Sequence, residues 1–108
     1  MVFSERRRSP RVVKRLEVSV IAVEERTAIT GNISETGLFI MTRRGLDAGI
    51  ILNIKIKLPN ASDLSLEGNV VRTLKPEPGL VGGVKCGMGI QLINPSKGYL
   101  NYVQTLLN

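Results

Sequence analysis

The chain has 108 residues, a net charge of +6, 43% hydrophobic residues and only 4% aromatics. That length supports one domain with a modest core. The absence of histidine and the single cysteine exclude Ser-His-Asp and Cys-His catalysis, imidazole zinc sites and an internal disulfide. No apolar run approaches the roughly 18 residues of a membrane span, and the basic N-terminus lacks the apolar segment of a signal peptide. Cys86, alone among glycines, reads as a small hydrophobe in a reducing, cytoplasmic setting.

The charge is uneven. Arg6, Arg7, Arg8, Arg11, Lys14 and Arg15 face only Glu5 within the first 15 residues, whereas the rest of the chain holds nine basic against eight acidic side chains. A near-neutral body with a basic arm directs the search for an anionic partner to the arm. Residues 1–14 show no period, Pro10 interrupts any regular ladder or helix, and the like charges repel. The expectation is a flexible arm over 1–14 and a folded domain over 15–108.

Arg15 to Glu24 alternates early, with Leu16, Val18, Val20 and Ala22 against Glu17, Ser19 and Ile21. A turn at Glu25-Arg26 and a second strand from Thr27 to Ile33 complete a hairpin. Leu38 to Thr42 predicts a third strand. Ile51 to Leu58 predicts a fourth, its Leu52, Ile54, Ile56 and Leu58 alternating strictly with Asn53, Lys55 and Lys57. A fifth runs from Leu64 to about Leu74, with a bulge where the phase slips at Val70-Val71. After a long Pro- and Gly-rich connection over 75–83, a sixth spans Val84 to Ile93, with Gly87 and Gly89 marking a bend or close backbone contact. Asn94 as N-cap and Pro95 at the first helical position predict a helix over about 95–107. Its stripe of Tyr99, Leu100, Val103, Leu106 and Leu107 suits the cover of a barrel mouth. Six short antiparallel strands and one helix make a small closed or nearly closed barrel.

Two short constellations stand out. Arg7-x-x-x-Arg11 precedes the first strand, and Asn32-x-Ser34-x-x-Gly37 ends the second. Each alone is weak. Basic runs are commonly just solvated, and Asn, Ser and Gly are what turns use anyway. Residues 12–31 between them suffice for one hairpin, which can bring both to the same barrel face. In a strand that reaches this far, Asn32 and Ser34 share a side and Ile33 turns to the other.

In this order and spacing, Glu5-Arg6-Arg7-Arg8-Ser9-Pro10-Arg11-Val12 followed by Asn32-Ile33-Ser34-Glu35-Thr36-Gly37-Leu38 resembles the two signature motifs of PilZ domains, Arg-x-x-x-Arg and (Asp/Asn)-x-Ser-x-x-Gly. Gly87 to Leu92 is similar to that family's last strand before its helix. The resemblance covers essentially the whole chain. It implies a bacterial receptor for cyclic di-GMP, built as a six-stranded antiparallel β-barrel capped by a C-terminal α-helix. Enzymatic activity, a cofactor and a metal are not expected, since the residues offer no histidine base, no metal cluster and no acidic pair at a plausible site. By that resemblance Arg7 and Arg11 bind guanine edges and phosphate. Arg6 and Arg8 flank them, Asn32 and Ser34 bond the other guanine's polar edge and a phosphate or bridging water, and Gly37 keeps the approach free of a side chain. Guanidinium suits this ligand through its planar, paired donors.

Binding would order the arm over the barrel and change a surface offered to a downstream protein. Two rival readings stay open. One is a PilZ-like interaction module that binds no nucleotide. The other is a nucleic-acid-binding barrel, against which the scarcity of aromatics (Phe3, Phe39, Tyr99 and Tyr102) and the near-neutral body both speak.

Overall fold

The computed structural model describes residues 10–22, 24–60, 62–75 and 86–107. Among these residues seven strands precede one helix: β1 (Val12–Val13), β2 (Glu17–Ile21), β3 (Glu25–Ile33), β4 (Gly37–Met41), β5 (Ile51–Lys57), β6 (Asp63–Leu74), β7 (Gly87–Ile93) and α1 (Lys97–Leu107). All neighbours are antiparallel in the order β3-β2-β5-β6-β7-β4, and β4 pairs back onto β3. Six strands therefore close a barrel, which leaves none of the six with an open edge. The expected six-stranded antiparallel barrel with a C-terminal helix is the fold observed, with β1 as an additional strand.

The strand pattern follows the alternation in the sequence. Along β5, Leu52, Ile54 and Ile56 are buried while Ile51, Asn53, Lys55 and Lys57 are exposed. β6 carries the expected bulge: Val70 faces Ile90 and Arg72 faces Gly89, which leaves Val71 without an opposite residue. Tyr99 and Val103 of α1 are wholly buried and join the barrel core, with Leu100, Leu106 and Leu107 packed at its margin.

Local details differ from the sequence expectation. Ile21 pairs with Glu25, so the hairpin reverses before Glu25, and Ala22 is exposed rather than inward-facing. Strand pairing continues through Glu25 and Arg26 because the register set by Glu17 opposite Ile29 brings them level with Ile21 and Val20. The helix starts at Lys97 and not at Pro95. Ser96, rather than Asn94, is the cap: its hydroxyl accepts the Tyr99 amide at 3.3 Å, and its carbonyl accepts the Leu100 amide at 3.0 Å. Asn94 takes φ 47° instead, a left-handed conformation that asparagine tolerates. Residues 1–9 of the expected arm, and 76–85 of the connection and sixth strand, lie outside the described residues.

The sheet begins earlier than the alternation indicates. Val12 pairs with Ile33 and Val13 with Asn32, on the edge of β3 that β2 also occupies. β1 and β2 are thus two pieces of one strand, interrupted at 14–16. Thr30 repairs the interruption. Its hydroxyl donates to the Lys14 carbonyl at 2.6 Å and accepts the Leu16 amide at 2.8 Å, while its own amide donates to the Leu16 carbonyl at 2.9 Å. Thr30 is wholly buried, so one side chain satisfies two backbone groups that the irregular ladder would otherwise strand.

On its other edge β3 slips as well. Thr30 faces Ile40 but Asn32 faces Phe39, so Gly31 is the extra residue of a bulge. A slip of one residue exchanges the two faces of a strand. It turns Ile33 into the core after Thr30 and directs Asn32 outward.

Two stability outcomes follow from these contacts. Thr30→Val keeps the shape but removes both hydroxyl bonds, and urea denaturation should show a loss of about 1–3 kcal/mol. At Gly37 a β-carbon would stand 2.4 Å from the Ile90 carbonyl oxygen of β7. Gly37→Ala should therefore destabilise the ligand-free fold by about 1–3 kcal/mol, as for overpacking elsewhere, read as a lower urea midpoint.

Candidate functional site

The two constellations meet at the end of β3 beside β1. Arg11, one residue before β1, donates from Nη1 to the Asn32 side-chain oxygen at 2.6 Å, across 21 positions of sequence. Arg11 is exposed and Asn32 half-buried. The bond is charge-assisted. It engages the amide's oxygen and leaves its NH2 group, two donors, facing out from the barrel. Since β1 holds Val13 opposite Asn32, the backbone at Arg11 is aimed by the ladder as well as by this contact.

Ser34 sits differently. It is wholly buried, and its hydroxyl accepts the Gly37 amide at 3.2 Å and the Thr36 amide at 3.3 Å while it donates to the Gly37 carbonyl at 3.2 Å. The Ser34 amide also donates to that carbonyl, at 2.8 Å. Donor and both acceptor positions of the hydroxyl are committed within the turn between β3 and β4. The Ser-x-x-Gly spacing is what that turn needs, and Gly37 has a second reason to be glycine in the close passage of the Ile90 carbonyl. Asn32 and Ser34 therefore do not form one outward-facing pair: Asn32 meets Arg11, and Ser34 meets Gly37. Arg6, Arg7 and Arg8 lie outside the described residues.

Two residues outside both constellations belong to this corner. Thr30 splices β1 to β2 and so holds the chain that carries Arg11. Its signal is parity: Ala28 and Thr30 turn inward while the apolar Ile29 stands about half exposed. Tyr99 donates its hydroxyl to the Ser34 carbonyl at 2.7 Å. A buried tyrosine needs a partner for its hydroxyl, and that need is visible in any apolar helix stripe that contains one. Burial pushes the Tyr99 hydroxyl far above its ordinary range, against smaller pulls downward from the nearby Arg11 charge and from the Ser34 bond. It remains a protonated donor throughout the neutral range.

A cavity of about 530 Å³ lies at the other end of β3, among Val20, Ala28, Ile40, Leu46 and Met88 with Arg26, Arg43 and Arg44 also in its lining. Among the described residues, none of the motif positions lines it. The Arg26–Glu24 pair there, at 3.4 Å and largely exposed, contributes little. Among the described residues no group of three or more Cys, Asp or Glu gathers as a metal site, and no helix is long and apolar enough to cross a membrane.

Comparison with known proteins bears on this corner. No curated protein matches the chain in sequence. In three dimensions it is similar to the Bacillus subtilis inhibitor of motility MotI/DgrA, with 23% identity over 93% of this chain and 48% of that one, at a TM-score of 0.76. It is also similar to YcgR of Escherichia coli, solved in complex with c-di-GMP, with 12% identity over 94% of this chain and 44% of that one, at 0.70. The PilZ domain of CeSA from a cellulose-synthesizing bacterium matches with 18% identity over 92% of this chain and 94% of that one, at 0.58. The chain thus spans a little under half the length of the first two, and likenesses this distant speak to the fold. The sequence itself matches the PilZ domain profile over residues 5–108, a span that holds both arginine and Asn-Ser-Gly constellations. The chain belongs to the PilZ domain family.

Proposed function

We propose that the chain is a cyclic di-GMP receptor and adaptor, with Arg7, Arg11, Asn32, Ser34 and Gly37 as its binding residues and Arg6 and Arg8 as flanking contributors. The observation that carries this reading is the 2.6 Å bond between Arg11 and Asn32, which joins the arginine motif to the polar motif on one face of the barrel. Support also comes from the family match and from the c-di-GMP held by YcgR. A guanidinium already aimed by β1 presents its remaining donors to a phosphate or to the O6/N7 edge of guanine. The Asn32 NH2 group adds two donors directed at acceptors. Ser34 then acts through the turn: its hydroxyl either opens toward ligand or keeps the Thr36 and Gly37 amides in place beside it.

The arm supplies the response. Ordering a backbone residue costs about 1–2 kcal/mol, so wrapping several arginine-bearing residues around the ligand requires charge-assisted contacts that offset it. Arg11, held at β1, is the fixed point from which Arg6 to Arg8 close over the two phosphates. The bound arm presents a different surface to a downstream protein, as a two-state element biased by ligand. This is signalling without chemistry, in the cytoplasm, and it needs no cofactor.

One observation favours a second reading, a PilZ-type interaction module that binds no nucleotide: the Ser34 hydroxyl is fully committed inside its own turn. Calorimetric titration decides between them. Cyclic di-GMP should give saturable heat with the wild type. Arg11→Ala should weaken binding by about ten- to a hundredfold, the loss of one bidentate contact of about 1–3 kcal/mol. Binding should survive an excess of DNA or RNA, which a nucleic-acid-binding barrel would not permit. A flat wild-type titration favours the module reading instead. In the same samples, amide exchange across residues 5–14 should slow at saturating ligand, and unchanged exchange would remove the arm from the mechanism.

A further inference from the structure

Helix α1 does more at this corner than close the barrel. Its first turn sends the Tyr99 hydroxyl through the core to the Ser34 carbonyl, 2.7 Å away and 65 positions distant in sequence. Tyr99 is wholly buried and donates there throughout the neutral range. Further along the helix, the Gln104 side-chain amide donates to the Glu35 carboxylate at the surface. The helix therefore holds two consecutive residues, Ser34 and Glu35, which lie between Asn32 and Gly37. Ser34 in turn closes on Gly37 and on the Thr36 amide through its hydroxyl. A chain of direct contacts thus runs from α1 through the turn to the strand end that carries Asn32.

From this geometry we infer that Tyr99 is a positioning residue for the cyclic di-GMP site, and that α1 is the element through which occupancy of the site is felt elsewhere in the domain. The inference rests on the receptor reading above. Linkage makes the effect reciprocal: if the Tyr99 bond holds the turn in the arrangement that binds ligand, then ligand held by the turn strengthens the seating of α1 by the same factor. Nothing in it requires Tyr99 to touch ligand. The hydroxyl acts on backbone, and the backbone places Asn32 and the Thr36 and Gly37 amides. A tyrosine that merely fills the core would contribute to stability through its ring, and its hydroxyl would leave ligand affinity untouched.

Tyr99→Phe removes the hydroxyl and keeps the ring, so the core remains filled. Three measurements on the whole chain test the inference. Calorimetry should show cyclic di-GMP binding weakened about five- to tenfold, the size expected of one lost net hydrogen bond. Hydrogen exchange should show the α1 amides, Tyr99 to Leu107, slowed by saturating ligand in the wild type but not in Tyr99→Phe. In the free proteins, the Thr36 and Gly37 amides should exchange faster in Tyr99→Phe, with β5 and β6 unchanged. Wild-type affinity in the variant, or ligand protection of α1 that survives the substitution, overturns the inference while leaving the receptor reading intact. A wild type that takes up no cyclic di-GMP overturns the receptor reading. The free-protein exchange still decides the contact chain, and wild-type rates at Thr36 and Gly37 in the variant would end it. Should Tyr99→Phe fail to fold, Gln104→Ala removes the surface contact alone, and the same reasoning predicts about a twofold loss of affinity and partial loss of α1 protection.

Discussion

The Thr30 hydroxyl stands between two strand pieces that would otherwise not join, giving a proton to Lys14 and taking one from Leu16. The Leu16 amide is buried and the Lys14 carbonyl partly so, and either one left unpaired would weigh against closure. With both satisfied, the chain before β2 stays on the edge of β3 for two more residues, and that extension points Arg11 at Asn32. The interruption serves the site. An unbroken ladder from Glu17 opposite Ile29 would set Lys14 against Asn32 and Val13 against Ile33, whereas the break at 14–16 shifts the register so that Val13 stands opposite Asn32.

A second irregularity, on the opposite edge of the same strand, does complementary work. Gly31 is the residue that β4 leaves uncounted, and the ring of Phe39 passes close beside it. Because of that extra residue, Ile33 enters the core and Asn32 leaves it. Without the slip, the polar amide would point into the barrel among leucines and valines, a costly place for an unpaired group. Strand bulges are common at barrel rims and near binding sites because they redirect side chains in this way. Here two of them flank one threonine.

The turn after β3 divides its labour. Asn32 keeps donors free toward the surface, while the hydroxyl two residues later is absorbed into turn geometry. Gly37 is demanded by the Ile90 carbonyl of the neighbouring strand whether or not a ligand is present. A motif of three residues thus contains a contact group, a turn-former and a spacer for barrel closure. Fold and recognition share the same positions, so substitutions there affect stability and binding together, and only paired measurements separate the two.

Much of this molecule is written locally. The period of two in Ile51 to Lys57, the phase slip at Val71, the apolar stripe of the last helix and the Asn-x-Ser-x-x-Gly spacing are all readable along the chain, because strand and helix geometry alone decides which neighbours share a face. The arginine imbalance is likewise a property of composition. Helix onset was less legible, since Asn94 and Ser96 both have capping side chains, and the choice depended on which could reach the Tyr99 amide once the backbone had turned at Asn94. What lay beyond the sequence was the pairing of distant segments. That Thr30 would bridge a broken ladder, that Arg11 would find Asn32 across 21 positions, and that Tyr99 would reach Ser34 across 65 depended on closing six strands into a ring. Alternation states which side chains turn inward, but the register between strands is set only when every core residue must pack at once, and hydrogen bonds between remote residues exist only after that register is chosen.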